Sequence, residues 1–190
     1  AEGYGHRVIE LPASRLEELR RDGGRSDVAV LQLHGGAFVS GLNDLYRVMA
    51  ERFCRMTGGG SVYTLDYRLA PAWPYPSQQN DVMDAWSYLT GELGYAADHI
   101  LVTGDSAGGN LVLNLGLRLR DEQQPMPMAL IGFSPWADLS NSGESHIANA
   151  VNDPTFGIPK ADFDGVTPVG VPTTYTDGLN PKNAYVSQLW

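Results

Sequence analysis

Cysteine is almost absent from the 190 residues, where Cys54 stands alone. A single thiol excludes an internal disulfide, leaves stability to packing, and names no redox compartment. It lies on a helical pattern with Phe53 and Met56 and reads as a small core residue, not a nucleophile. Positive charge is also scarce. Lys and Arg number 13 against 22 Asp and Glu, a net charge of −9, and no basic run offsets phosphate charge. That balance excludes nucleic acid as a partner. Long apolar runs are missing too, since none approaches the roughly 18 residues of a membrane span. No basic segment followed by an apolar stretch opens the sequence, so it reads as cytoplasmic, and a secreted mature form would look the same. Histidine is limited to 4 scattered residues without paired spacing, so neither a metal centre nor a cofactor is expected.

What is present suits one globular domain. A hydrophobic share of 43% and a charged share of 18% are ordinary, and the length suffices for a real core. From residue 28 onward, short apolar strands alternate with helical patterns. Strand 28–33 leads to helix 44–57, strand 61–66 to helix 77–91, and strand 99–103 to helix 107–121, with strand 129–133 following. Such alternation predicts an α/β fold with a mostly parallel sheet and helices on both faces. Glycines at 58–60 and at 91 and 94 supply the helix stops.

Two of the strand ends carry chemistry. After Val102 comes Thr103-Gly104-Asp105-Ser106-Ala107-Gly108-Gly109-Asn110, a Gly-x-Ser-x-Gly between a strand and a helix. This is the pattern of a nucleophile elbow, whose sharp turn exposes the serine hydroxyl. Gly104 and Gly108 leave room where a larger side chain would collide with neighbouring backbone. The helix starting behind Ser106 favours negative charge developing there. The strand 28–33 opens into His34-Gly35-Gly36-Ala37-Phe38, where glycines let backbone N–H groups point at a ligand, as a tetrahedral oxyanion requires. A third stretch, Asp66-Tyr67-Arg68-Leu69-Ala70-Pro71, follows the strand 61–66.

Together, and in their order along the chain (His34–Phe38, Asp66–Pro71, Gly104–Asn110), the three motifs resemble the hormone-sensitive-lipase-like family of α/β-hydrolase esterases. The match covers about residues 28–140 and continues more weakly to the end. The resemblance implies an α/β-hydrolase fold and a carboxylesterase acting on short-chain acyl esters such as acetyl esters. It makes Ser106 the nucleophile and gives the oxyanion hole to Gly35, Gly36 and the N–H of Ala107. Supporting positions are His34, which orients its loop, Asp105, which holds neighbouring loops by hydrogen bonds, and the paired Gly104 and Gly108. The segments 6–11 and 15–20 then read as an antiparallel opening pair. Ser14-x-x-Glu17 also fits a helix capping box, and only the resemblance favours strand for the second. Three units result: 1–139 as the N-terminal part of the catalytic core, 140–180 as an irregular cap-like segment, and 181–190 as the lead-in to a next core strand. Pro154, Pro159, Pro168 and Pro172 exclude a long helix in the second unit.

A serine needs a base and the base an orienting acid, in the chain order Ser, acid, His. Only His146 follows Ser106. In the family, acid and histidine come after the point corresponding to residue 190, so the C-terminal strands are expected to be missing from this chain. Asp138 and His146 satisfy the order formally, but Asp138 reads as a residue that pins its loop and His146 as part of the cap-like segment. A homo-oligomer or a complementary C-terminal chain is the expected partner, because Ala129, Leu130, Ile131 and Phe133 form an apolar strand unsuited to a solvent edge. The alternatives to an esterase are a non-catalytic module binding a small molecule, as the plant gibberellin receptors of similar sequence do, and an inactive fragment. Elsewhere, Asp66 and Arg68 read as an ion pair, and Asp81 and Asp84 as carboxylates opening a helix. Trp73, Tyr75 and Trp86 read as core.

Overall fold

A computed structural model describes residues 3–140, 142–154, 157 and 162. Six strands form one sheet in the order β1-β2-β4-β3-β5-β6. They are β1 (Tyr4–Glu10), β2 (Arg15–Arg21), β3 (Ala29–Leu33), β4 (Ser61–Asp66), β5 (Ile100–Asp105) and β6 (Ala129–Phe133). The pairs β1–β2 and β2–β4 are antiparallel, and the rest of the sheet is parallel. The α/β architecture expected from the alternation is the one found.

Alternate residues of the central strands feed two cores. Val30 and Val62 pack against Ala50 and Cys54 of α1 (Asp44–Met56). Leu31, Leu33, Tyr63, Leu65 and Val102 pack against α2 (Ser77–Ser87) and α3 (Ser106–Asp121) on the other face. β3 is consequently buried at every position, which is why it reads as a continuous apolar run and not as an alternating one. α1 starts where the Asn43 side chain accepts from Leu45 N at 3.0 Å. It ends at Gly58 and Gly59, both in the left-handed region, as its glycine stop implies. Cys54 is buried in the smaller core, as expected.

Several boundaries differ from the sequence expectation. The helix foreseen over 77–91 is α-helical only to Ser87 and then makes one π-helical turn, Tyr88–Glu92. There the Thr90 hydroxyl takes the Trp86 carbonyl at 2.9 Å and competes with the backbone ladder. The strand foreseen over 99–103 runs instead from Ile100 to Asp105, and the following helix begins at Ser106 itself. β2 is a strand, although its sequence hardly alternates. Its buried Glu17 and Glu18 are held by cations: Arg47 donates to Glu17 twice at 2.7 Å, and Arg7 pairs with Glu18. The segment 181–190 and most of 140–180 lie outside the described residues. Within the described part, α4 (Glu144–Ala148) is a short helix.

The expected ion pair between Asp66 and Arg68 is not formed. Asp66 pairs with Arg15 at 2.8 Å across the β2–β4 register. Arg68 turns to Asp81, donating through Nη2 at 2.7 Å, through Nε at 3.0 Å and from its backbone N at 2.9 Å. Asp81 is therefore not a first-turn carboxylate but a fully buried acceptor clamping the third motif to α2. Trp86 is core as expected, whereas Trp73 is half exposed, with the Arg68 guanidinium 5.1 Å above its ring. Removing one partner of a buried pair leaves the other charge without compensation. Arg68→Met should therefore destabilise the fold by about 3–5 kcal/mol in urea denaturation. An unchanged midpoint would show that Asp81 finds another donor.

Candidate active site

The register places the two glycine-rich loops side by side. Leu33, the last residue of β3, lies opposite Gly104 of β5. A Cβ on Gly104 would sit 2.6 Å from the Gly108 carbonyl oxygen and 2.7 Å from that of Leu33. A Cβ on Gly108 would overlap the Leu33 carbonyl oxygen and lie 2.6 Å from that of His34. These contacts let α3 begin directly against β3, and the turn between strand and helix is correspondingly abrupt. Ser106 carries it with φ +52°, a left-handed conformation that a non-glycine residue adopts only when its surroundings impose it. Ser106 is half-buried, and as the first residue of α3 it shares its turn with N–H groups that have no intrahelical acceptor. Ala107 contributes one of these.

Beyond Leu33 the chain makes a second strained turn. Gly36, Ala37 and Phe38 have φ of +114°, +54° and +64° in succession. The Gly36 carbonyl accepts from Val39 N at 3.0 Å and Ser40 N at 2.9 Å, and Phe38 O accepts from Ala70 N at 2.9 Å. A Cβ at Gly36 would lie 2.7 Å from the Ser40 carbonyl oxygen, so glycine is required there for space as well as for φ. Gly35 differs from Gly36. It is buried, and its N–H donates to Tyr46 Oη at 2.8 Å. The expectation that Gly35 supplies an oxyanion donor is therefore corrected: that N–H is engaged. Gly36 is half-buried, and Ala107 is the second residue of α3.

His34 is fully buried and sits beneath this loop. Its ring stacks on Tyr67 at 4.0 Å and 7°, and Tyr67 Oη donates to the His34 carbonyl at 2.8 Å. Nδ1 lies 2.7 Å from the Gly35 carbonyl, which can only accept, so Nδ1 carries the proton. Nε2 is then a buried acceptor with no hydrogen-bond partner among the described residues. Burial lowers the His34 pKa and keeps the ring neutral. Asp105 accepts from Tyr46 Oη at 3.2 Å, a bond to helix α1 and not to a neighbouring loop.

On the far side of Ser106, the loop after β6 is tied to α3. Trp136 N donates to the Ser106 carbonyl, and Asn110 Nδ2 donates to the Trp136 carbonyl, both at 2.9 Å. Asp138 in the same loop accepts from the backbone N and the hydroxyl of both Ser140 and Ser142. Those bonds are the local pinning expected of it. His146 lies on α4 and is half-buried. Among the described residues no group of three or more His, Cys, Asp and Glu is placed to hold a metal ion. Sequence reasoning missed Tyr46, which belongs to no motif and reaches the site from the first turn of α1.

Two measurements follow from this geometry. Gly108→Ala would drive a Cβ into the Leu33 carbonyl, and overpacking of this kind costs about 1–3 kcal/mol or more. A lower denaturation midpoint is expected, and an unchanged one would show that the two backbones can separate freely. Asp138 supplies a pH signature. Burial raises its pKa, but the hydrogen bonds from Ser140 and Ser142 outweigh that effect and hold it at about 2 against an ordinary 3.8. A depressed folded-state value gives stability that is present above pH 3.8 and lost as pH falls through about 2. Thermal melts of Asp138→Asn should be less pH-dependent across that window than those of the parent protein. Equal slopes would remove Asp138 from the acid response.

The sequence profile of the α/β-hydrolase fold family matches residues 30–187. An esterase of Acinetobacter venetianus is 31% identical over 184 residues, covering 97% of this chain and 58% of the esterase. An acetyl-hydrolase of Streptomyces hygroscopicus is 35% identical over 126 residues, covering 66% of this chain and 40% of that protein. The crystal structure of an esterase from the bacterial hormone-sensitive lipase family superposes with a TM-score of 0.84 at 33% identity, over 100% of this chain and 61% of that one. This chain thus spans about three-fifths of the relatives it matches most extensively. Together with the sheet order, the turn at Ser106 and the glycine loop after β3, the profile match shows that the chain belongs to the α/β-hydrolase fold family, and its similarity runs to esterases of the hormone-sensitive-lipase type.

Proposed function

We propose that this chain carries the nucleophile and the oxyanion-binding loops of a carboxylic-ester hydrolase acting on short-chain acyl esters such as acetyl esters. The observation that carries the reading is Ser106 at φ +52° on a strand-to-helix turn, beside the Gly36 loop. A module that only binds a small molecule has no need of that strained serine. In the proposed reaction Ser106 Oγ attacks the ester carbonyl carbon and gives its proton to a base. The carbonyl oxygen becomes an oxyanion that accepts from the N–H groups of Gly36 and Ala107. Collapse expels the alcohol, which takes up the proton, and leaves an acyl-serine. Water then attacks the acyl carbon, a carboxylic acid departs and the serine proton is restored. His34 is not the base, because Tyr67 covers its ring and Nδ1 is held by Gly35. The base is the family's histidine, oriented by the family's acid.

The similarity to an acetyl-hydrolase supports the short acyl group. The segment 140–180 is read as the cap over the acyl pocket, and the chain as cytoplasmic. Among the described residues no helix is long and apolar enough to cross a membrane. The edge of β6, with Ile131 39% and Phe133 50% exposed, supports pairing with a further strand from a second copy or a complementary C-terminal chain.

Ser106→Ala tests the nucleophile. The native protein should label with a fluorophosphonate at Ser106 and hydrolyse p-nitrophenyl acetate faster than the decanoate. The variant should lose labelling and about 10⁴-fold or more in turnover. Labelling and turnover that survive the substitution would remove Ser106 from the chemistry.

A further inference from the structure

Between the two loops of the candidate site lies a hydroxyl that none of the three motifs contains. Tyr46, buried in the first turn of α1, is held by its backbone as well as its ring. Its carbonyl accepts from Gln32 Nε2 at 3.3 Å, in the middle of β3, and its ring centroid is 5.6 Å from that of His34. At the ring's far end the hydroxyl accepts the Gly35 N–H at 2.8 Å and donates to Asp105 Oδ2 at 3.2 Å. Gly35 immediately precedes Gly36, and Asp105 is separated from Ala107 only by Ser106. One hydroxyl therefore bridges the two chain segments that would each supply an oxyanion donor.

We infer that Tyr46 is a positioning residue: its hydroxyl sets the spacing between the Gly36 and Ala107 N–H groups, and so the fit of the oxyanion hole to the transition state. The inference rests on the esterase reading above. Three features make the bridge effective. First, a hydroxyl is the group that can accept from an N–H and donate to a carboxylate at once. Burial holds the phenol's pKa near 12, so it keeps its donor proton at ordinary pH. Second, the two segments already touch, because a Cβ on Gly35 would collide with the Asp105 carboxylate. Small changes in the hydroxyl's bonds thus pass directly into their separation. Third, both segments leave the sheet in strained conformations, with Gly36 to Phe38 and Ser106 all at positive φ. Strained turns persist only where their surroundings over-determine them, and this bond pair is one such determinant.

An oxyanion hole acts only on the transition state, so a loss of its fit lowers kcat and leaves KM nearly unchanged. Tyr46→Phe keeps the ring and deletes the bridge. The expected result is a Ser106-dependent kcat on p-nitrophenyl acetate lower by about 10- to 100-fold, with KM within about twofold. The affinity for a trifluoromethyl ketone that forms an oxyanion at Ser106 should fall by the same factor as kcat/KM. Hydrogen exchange at the Gly35 amide should quicken by about tenfold or more while the melting midpoint drops by only about 2–6 °C. Replacement of Tyr46 by 3-fluorotyrosine, which retains the hydroxyl, should restore the rate. Should Tyr46→Phe fail to fold, Asp105→Ala cuts the bridge from its other end and should show the same loss in kcat. Wild-type kcat in the variant, or a rise in KM alone, would overturn the inference. A rate that persists in Ser106→Ala would instead overturn the esterase reading, so the two failures are distinguishable.

Discussion

Gly108 brings the start of α3 against the Leu33 and His34 carbonyls, and the rest of the site follows from that backbone contact. Strand β5 can hand over to a helix within one residue only if the helix has somewhere to go, and the only space is above the end of β3. The absence of side chains at Gly104 and Gly108 provides it. Ser106 then has no choice but a left-handed backbone. The same proximity sets the loop after β3 next to the serine, so the proposed nucleophile and the proposed oxyanion donors arise from one packing event and not from two independent loops. Strain of this kind costs on the order of 1–3 kcal/mol per residue, and the buried sheet beneath has the stability to hold it.

The parts of this arrangement that rest on neighbours in sequence were legible there. β3 announced itself as an unbroken apolar run because both of its faces are covered, and the elbow could be read because its constraint is written in two glycines around a serine. Parts that rest on a partner from a distant element were not legible. The glutamates of β2 break the strand's alternation, and it takes Arg47 on α1, Arg7 on β1 and the Tyr63 hydroxyl on β4 to make them acceptable inside. Arg68 was assigned to Asp66, two residues away, and it belongs to Asp81 on α2. Gly35 and Gly36 look equivalent as letters, yet the hydroxyl of Tyr46 engages the N–H of the first, while the second sits at φ +114° against Ser40. The short π-helical turn after Ser87 depends on one threonine hydroxyl, a detail that periodicity does not carry.

Charge around Ser106 is arranged by keeping it tied down. Among the described residues, Asp105 accepts from Tyr46, Asp66 pairs with Arg15, and Asp138 accepts from the serines of its loop. His34 is neutral, with its one ring proton on the Gly35 carbonyl. In a protein with a net charge of −9, this matters for a serine expected to develop negative charge on its substrate. A carboxylate opposes an oxyanion through its charge, which a hydrogen bond stabilises and fixes in place but does not remove. Against that repulsion stand the N–H groups at the start of α3, and with them the positive end of a 16-residue helix dipole. The start of α3 thus favours an anion even though the net charge of the molecule opposes one.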